Sequence, residues 1–323
     1  TEIYTLSLHD ALPIYLDELR VFDPAFIENV DSDIFDNIVQ ILGCSKSEIH
    51  DVYPLKQGLT NLSCHFATDS GEYVYRHPGV GTELLIDREG EVAAQKVARE
   101  LGLDDTYIFE DPKRGWKISK FIPNCRNIDP HDAGQVAKTM RMAHDLHACD
   151  VIVDRHFNFF REAKRYEALL LEKGPIDIPG YHELAVRFDR LASHVNEDGA
   201  PVCLCHNDFF ELNFLVDEDD AYYLIDWEYA GMSDYANDFG TFCVCCQLSE
   251  KEVDKALVAY FDREPTLEER RHNLAHIALA GWCWYLWSLL KEAEGDFVGE
   301  WLYIYYNYAV LYIDKALALY GEE

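Results

Sequence analysis

Basic residues are scarce in this chain. Lys and Arg number 28 against 59 Asp and Glu, giving a formal charge of −31 at pH 7 over 323 residues. That balance argues against a nucleic-acid partner, because phosphate backbones are bound by clustered Lys and Arg. It argues equally against an anionic membrane surface. Paired CxxC sets are missing too. The ten cysteines (Cys44, Cys64, Cys125, Cys149, Cys203, Cys205, Cys243, Cys245, Cys246 and Cys283) are scattered, so a zinc framework has poor support. Unpaired thiols in this number suit a reducing, cytoplasmic setting. The tightest group, Cys243, Cys245 and Cys246, lies in an apolar run and reads as buried core thiol. No apolar run is long enough to span a bilayer. Internal repeats and low-complexity linkers are absent as well.

What is present is a large potential core. Apolar residues make up 49% of a chain long enough for one large domain or two lobes. The acidic field would help gather a cationic ligand. A nucleoside triphosphate entering against it needs a local basic pocket and a divalent cation. The plainer reading of the charge is a solubility surface or adaptation to salt. The opening "TEIYTLSLHDALPIY" has neither a basic start nor a clean signal-peptide core, and it reads as a scar foreign to the fold.

Periodicity divides the rest. "IFDNIVQILG" predicts a short helix stopped by Gly43. "LSCHFAT" and "EYVYRHP" predict strands joined by a "DSG" turn, and "TYIFEDPKRGWKISKFIP" predicts two more around "DPKRG". Between these pairs, Leu85, Val92, Val97 and Leu101 mark a helix ending at Gly102. After Pro123 the pattern is mostly helical, with helices predicted near 131–148, 158–173, 181–196, 250–262, 266–292 and 299–319. One β-rich island, residues 201–226, interrupts them with "PVCLC", "NFLV" and "YYLID". The expected architecture is α+β and two-lobed. A lead over 1–33 precedes a small β-sheet lobe with one helix over 34–122. A larger, mainly helical lobe follows over 123–323.

The island carries the chemistry. In "CHNDFFELNFL" Asp208 precedes Asn213 by five positions, and Asp226 ends the apolar run "YYLID". Asp208 can accept a hydrogen bond from a substrate hydroxyl. Asn213 and Asp226 can offer oxygens to Mg2+, with phosphates and water completing the octahedron. An Asp–x4–Asn pair followed by a strand-terminal Asp is what phosphoryl transfer needs, and it resembles the protein-kinase pattern. The plainer alternative makes all three turn caps and strand ends. His206 reads as structural, bracing the loop backbone.

The first lobe should then hold ATP. "LKQGLTN" can lie over the phosphates, with Gly58 allowing close approach and Thr60 and Asn61 offering donors; an ordinary glycine hairpin is the alternative. Arg76 is a candidate phosphate contact and Glu91 its candidate partner, with Arg88 a rival for Glu91. Either acid or base can instead be plain surface charge. Phe121 and Ile122, in the connector "KFIPN", are placed to wall an adenine. In "GWCWYLWSLL" Trp284 and Trp287 share a helix face, and "WLYIYYNYAVLY" adds Tyr303, Tyr305, Tyr306 and Tyr308. Such rings attract a quaternary ammonium or simply form an aromatic core.

These segments, with "DREGEVAAQKVARELG", "KISKFI" and "LIDWEYAGMSDYANDFGTF", resemble the choline/ethanolamine kinases, above all the bacterial choline kinases, within the wider aminoglycoside phosphotransferase-like group. The resemblance covers about residues 34–318. It implies a protein-kinase-like fold and ATP-dependent phosphorylation of choline to phosphocholine. Ethanolamine, an aminoglycoside or another amino alcohol is the alternative acceptor. By position, Asp208 resembles the base or hydroxyl-orienting Asp, and Asn213 and Asp226 the magnesium ligands. Arg76 resembles the strand cation and Glu91 the helix acid. Trp284 and Trp287 match a WxxW choline box, with Tyr308 a further member. Asp238 resembles a structural brace and Glu228 a contact to the metal or its ligands. One departure stands out. Where eukaryotic members place a choline-contacting Glu, this chain has "CVCC", with Cys245 near the position. That carboxylate is missing or supplied elsewhere.

Overall fold

The computed structural model describes residues 33–55, 61–78 and 87–321. Two compact units emerge from its contacts, one comprising residues 1–82 and 108–121, the other residues 83–107 and 122–323.

The first unit is a five-stranded sheet with one helix. Helix α1 (Ile34–Leu42) stops where Gly43 adopts a left-handed φ of 70° and its N–H closes on the Val39 carbonyl at 2.9 Å. Strands β1 (His50–Leu55), β2 (Asn61–Thr68), β3 (Gly71–Pro78), β4 (Tyr107–Glu110) and β5 (Lys117–Lys120) lie in the order β1-β2-β3-β5-β4. The "DPKRG" turn closes because Asp111 Oδ1 accepts from the N–H groups of Lys113 and Arg114 at 2.9 and 3.1 Å. Ile34 and Ile38 of α1 pack with Phe66, Tyr75, Trp116 and Ile118 of the sheet as one small core. Each such side chain contributes about 1.5–3 kcal/mol by leaving water. Tyr75 anchors it, stacked on Trp116 at 5.7 Å and accepting from Asn37 Nδ2 at 2.9 Å.

The second unit is mainly helical. Helix α2 (Arg88–Glu100) is capped by Asp87, whose carboxylate accepts from Gly90 N, and its Ala94, Val97 and Ala98 share a core with Phe214 and Leu224. Helices α3 (Ala133–His147), α4 (Phe159–Lys173) and α5 (Tyr181–Glu197) follow. Two small sheets come next. One pairs β7 (Val202–Cys205) with β10 (Gly231–Asp234). The other joins β6 (Arg126–Asn127), β8 (Phe214–Val216) and β9 (Tyr222–Leu224). Helices α6 (Ala236–Cys245), α7 (Glu250–Phe261), α8 (Leu267–Glu294) and α9 (Trp301–Leu319) complete it.

Helix α8 is the centre of this unit. A capping box of Thr266 and Glu269 starts it and Gly295, at φ 93°, ends it. From Ala275 to Ser288 it is buried all round, as expected for a helix wrapped by others. Two glycines set the approach of its neighbours. A methyl group on Gly240 of α6 would lie 2.5 Å from the His276 carbonyl, and one on Gly281 would lie 2.7 Å from Ala309 N of α9.

Two elements differ from the sequence reading. The single island over 201–226 is split between two sheets, because β7 pairs with β10, a strand the sequence did not reveal. Its residues "GMSD" carry no β-branched side chain to signal it. Helix α6 read only as an apolar run, since all ten of its residues are buried and no 3.6-residue alternation exists to detect.

Gly281→Ala should destabilise the protein by about 1–3 kcal/mol through overpacking against α9. Urea unfolding measures it; an unchanged midpoint would mean that the α8–α9 approach is looser than described.

Candidate active site

The loop after β7 is held from below by one carboxylate. Asp238, in the first turn of α6, accepts from the N–H of His206 at 2.9 Å and of Asn207 at 2.6 Å, and pairs with His147 Nε2 at 3.0 Å. Asn207 sits at φ 65°, a conformation rare outside glycine. It is pinned there by further bonds: Nδ2 to the Tyr229 carbonyl at 3.0 Å, Oδ1 from Asn237 at 3.1 Å, and its carbonyl from Thr241 at 3.2 Å. His206 ties the loop to the next segment through Nε2 and the Ile225 carbonyl, 2.9 Å apart. The sequence reading of His206 and Asp238 as braces agrees with these bonds.

This scaffold presents Asp208. Asn213, on a short turn over Glu211–Asn213, donates Nδ2 to the Asp208 carboxylate at 2.9 Å and to its carbonyl at 2.7 Å. With Nδ2 so engaged, Oδ1 is the end of the amide left to serve as an oxygen ligand. Ile225 N donates to the Asn213 carbonyl at 2.9 Å, which carries the chain to Asp226 at a left-handed φ of 67°. Asp226 thus lies two residues beyond the end of β9, not within it. Glu228 is buried nearby, its carbonyl bonded by the Arg155 guanidinium.

Burial raises the Asp208 carboxyl well above its ordinary range, and the charges of Asp226, Glu228 and Asp238 push the same way against the Asn213 hydrogen bond. A cation placed among these charges would relieve their repulsion. The donor types suit magnesium: carboxamide and carboxylate oxygens from Asn213 and Asp226, with no nitrogen or sulfur.

The tryptophans of α8 lie in an aromatic cluster. Trp284 and Trp287 of α8 are 4% and 7% exposed, and their rings meet edge to face at 6.2 Å. Both indole N–H groups are buried without a hydrogen-bond partner among the described residues. Tyr229, Phe157 and Phe159 surround Trp284 at 5.4, 6.5 and 5.9 Å. Tyr308 is placed differently. It stacks on Tyr312 at 5.8 Å and donates to the Leu248 carbonyl at 2.9 Å, and among the described residues no ring contact joins it to either tryptophan. Tyr305, one turn earlier, is near the Asp208 carboxylate. Its phenol shares a hydrogen bond with the Cys245 thiol and feels the charges of Asp208 and Glu211. Glu211 is bonded by the Cys246 thiol at 2.8 Å. Tyr229 and Glu211 were not singled out in the sequence, and Tyr305 was named only beside Tyr303, Tyr306 and Tyr308. Tyr305 belongs to a run of tyrosines whose spacing cannot choose among them.

In the first unit, Arg76 in β3 reaches Glu110 at 3.5 Å, and both are buried. In the second unit Arg88 donates to Glu91 at 2.9 Å. Phe121 packs edge-on to His65 at 4.7 Å, and its N–H is spent on the Glu72 carbonyl at 3.0 Å. Ile122 is half-buried. Asn61 opens β2 opposite Pro78. Gly58 and Thr60 lie outside the described residues, as does the lead over 1–32.

An antiparallel sheet unit and a helical unit whose loop offers an Asp–Asn pair beside further acids make up a protein-kinase-like phosphotransferase. Comparison with known proteins agrees. The family model described as the phosphotransferase enzyme family matches residues 51–272, and the chain belongs to that family. Protein LicA of Haemophilus influenzae is 26% identical over 282 residues, covering 82% of this chain and 78% of its own. Ethanolamine kinase 2 of Rattus norvegicus is 26% identical over 266 residues, covering 73% and 69%. Among solved structures, choline kinase LicA from Streptococcus pneumoniae superposes with a TM-score of 0.75 at 24% identity, over 87% of this chain and 98% of that one. LicA in complex with AMP gives 0.74 at 23%, over 89% and 99%.

The Asp208 environment sets a trade-off. An acid whose folded pKa is raised keeps its proton after the unfolded chain has lost it, so stability falls as pH rises above the ordinary carboxylate range. Asp208→Asn should therefore melt higher than the parent at pH 7 in EDTA, by about 2–4 °C per kcal/mol relieved. The gap should close as pH is lowered toward that range. A variant that melts lower at every pH would contradict the electrostatic account.

Proposed function

We propose that this protein is a magnesium-dependent kinase that transfers the γ-phosphoryl group of ATP to the hydroxyl of choline, giving phosphocholine. One observation carries the reading: the Asp208 carboxylate, bonded by Asn213 and facing the charge of Asp226, lies within electrostatic reach of Tyr229 and Tyr305. Tyr229 in turn packs on Trp284. A reacting hydroxyl on Asp208 thus has aromatic faces close by for the ammonium of the same molecule. Similarity to kinases of choline and ethanolamine, and to a structure with AMP, supports the nucleotide and the alcohol acceptor.

Asp208 orients the hydroxyl and receives its proton as the phosphoryl group departs in line. Asn213 and Asp226 would hold magnesium, which when bound would supply positive charge to the phosphates. Glu228 lies against that cluster and helps receive the metal or the substrate. Trp284 and Trp287, with Tyr229 and Tyr305, surround the cation. Tyr308 supports that wall from the next turn of α9 through Leu248. Residues 34–122 are assigned as the nucleotide lobe, with phosphate-binding roles for Gly58, Thr60, Asn61 and Arg76, a carboxylate role for Glu91, and adenine-binding roles for Phe121 and Ile122. Residues 123–323 are the catalytic lobe. The compartment is the cytoplasm, consistent with ten free thiols.

A second acceptor is ethanolamine, whose ammonium N–H groups need an acceptor. Cys245, a buried thiol held neutral by burial, does not supply that charge. Glu211 is the acid close enough to take over that charge.

Magnesium-dependent ADP release with choline, ethanolamine and kanamycin side by side separates these readings. Asp208→Ala and Asp226→Ala should each lower turnover by about 10²–10⁴-fold. Trp287→Ala should raise KM for choline about tenfold with little change in kcat. An unchanged KM removes the aromatic box; ADP release equal to the substrate-free rate with every acceptor removes the kinase reading.

A further inference from the structure

Away from the Asp208 loop, β10 and α8 bring together Asp234, His272 and His276, whose ligand atoms all lie within 4.8 Å of one another. The two histidines are one helical turn apart, so their rings stand on one face of α8. Nε2 of His272 is 3.0 Å from the Asp234 carboxylate, and Nε2 of His276 is 3.6 Å from its Oδ1. Ligands on a tetrahedral ion with bonds of about 2.0–2.2 Å stand about 3.3–3.5 Å apart.

The opposite nitrogen of each ring is already committed. His272 Nδ1 faces Asp198 Oδ2 at 2.9 Å, and Asp198 is in turn bonded by Arg271 at 2.6 Å and by the Tyr320 hydroxyl. His276 Nδ1 lies 3.0 Å from the His272 carbonyl. Such outer partners are what aim an imidazole at a metal. The carbonyl also decides the His276 tautomer. A carbonyl only accepts, so Nδ1 carries the proton and Nε2 of the neutral ring is a lone pair. Both rings are 3% exposed. Nε2 of each ring faces the Asp234 carboxylate inside the protein, so three ligand atoms from two elements converge on one buried point that a divalent cation can occupy.

We propose that Asp234, His272 and His276 form a binding site for a divalent transition metal of the zinc class, distinct from the magnesium site. Two imidazoles and a carboxylate select such an ion over magnesium or calcium. The ion would fasten β10 to α8 and, through Asp198, to the end of α5. The other cluster of metal-binding side chains, His147 with Cys203 and Cys205, lacks this feature. There both nitrogens of His147 bond partners outside the cluster, the Tyr260 hydroxyl at 2.8 Å and Asp238 at 3.0 Å, whereas Nε2 of His272 bonds within its own cluster, to Asp234.

The test uses the whole chain, stripped with a chelator and titrated with zinc against a chromophoric competitor, and separately loaded with cobalt. The expected result is one zinc per chain, unaffected by Cys203→Ser and weakened at least tenfold by His276→Gln and by Asp234→Asn. The cobalt form should show visible ligand-field bands without the intense near-ultraviolet band of a thiolate ligand. Failure of the parent to retain zinc, a thiolate band, or undiminished affinity in a folded His276→Gln variant overturns the proposal. Should both variants fail to fold, zinc retention and the cobalt spectrum of the parent still decide it. Neither readout depends on kinase activity.

Discussion

The bonds from Asp238 to the N–H groups of His206 and Asn207 are the constraint on which the site rests. They fix two successive peptides of a loop whose Asn207 is in an unfavourable backbone conformation. A loop in that shape persists only when its surroundings over-determine it. Here they do, since every polar group of Asn207 named above has a partner. Asp238 is itself positioned by α6, which can approach α8 closely because residue 240 is glycine. The position of Asp208 thus follows from how tightly two helices meet.

The same arrangement concentrates negative charge. Asp208, Asp226, Glu228 and Asp238 act on one another in a buried setting. In the absence of a cation this costs stability. The overall acidity of the chain amplifies the effect. A cationic alcohol is drawn toward such a field, whereas a nucleotide requires the ion as escort.

Helix α8 links the parts. Its first half carries His272 and His276 against β10, its middle meets α6 and α9 at glycine-permitted distances, and its second half carries Trp284 and Trp287. A helix so thoroughly buried cannot shift at one end without disturbing the other, because packed interiors are not freely deformable.

The sequence by itself determined the elements with a local signature. Amphipathic helices, the "DSG" and "DPKRG" turns and the Gly43 stop were legible because spacing, caps and turn chemistry act over a few residues. The Asp208–Asn213 pair was legible for the same reason: one short turn brings residues five apart into contact. Only the tertiary structure decided the rest. The β7–β10 pairing, the uniformly buried α6, the approach of Tyr305 to Cys245 and the meeting of Asp234 with His272 and His276 each join segments far apart in the chain. Their geometry is set by long-range packing and by glycine-limited helix contacts, and no local periodicity records it.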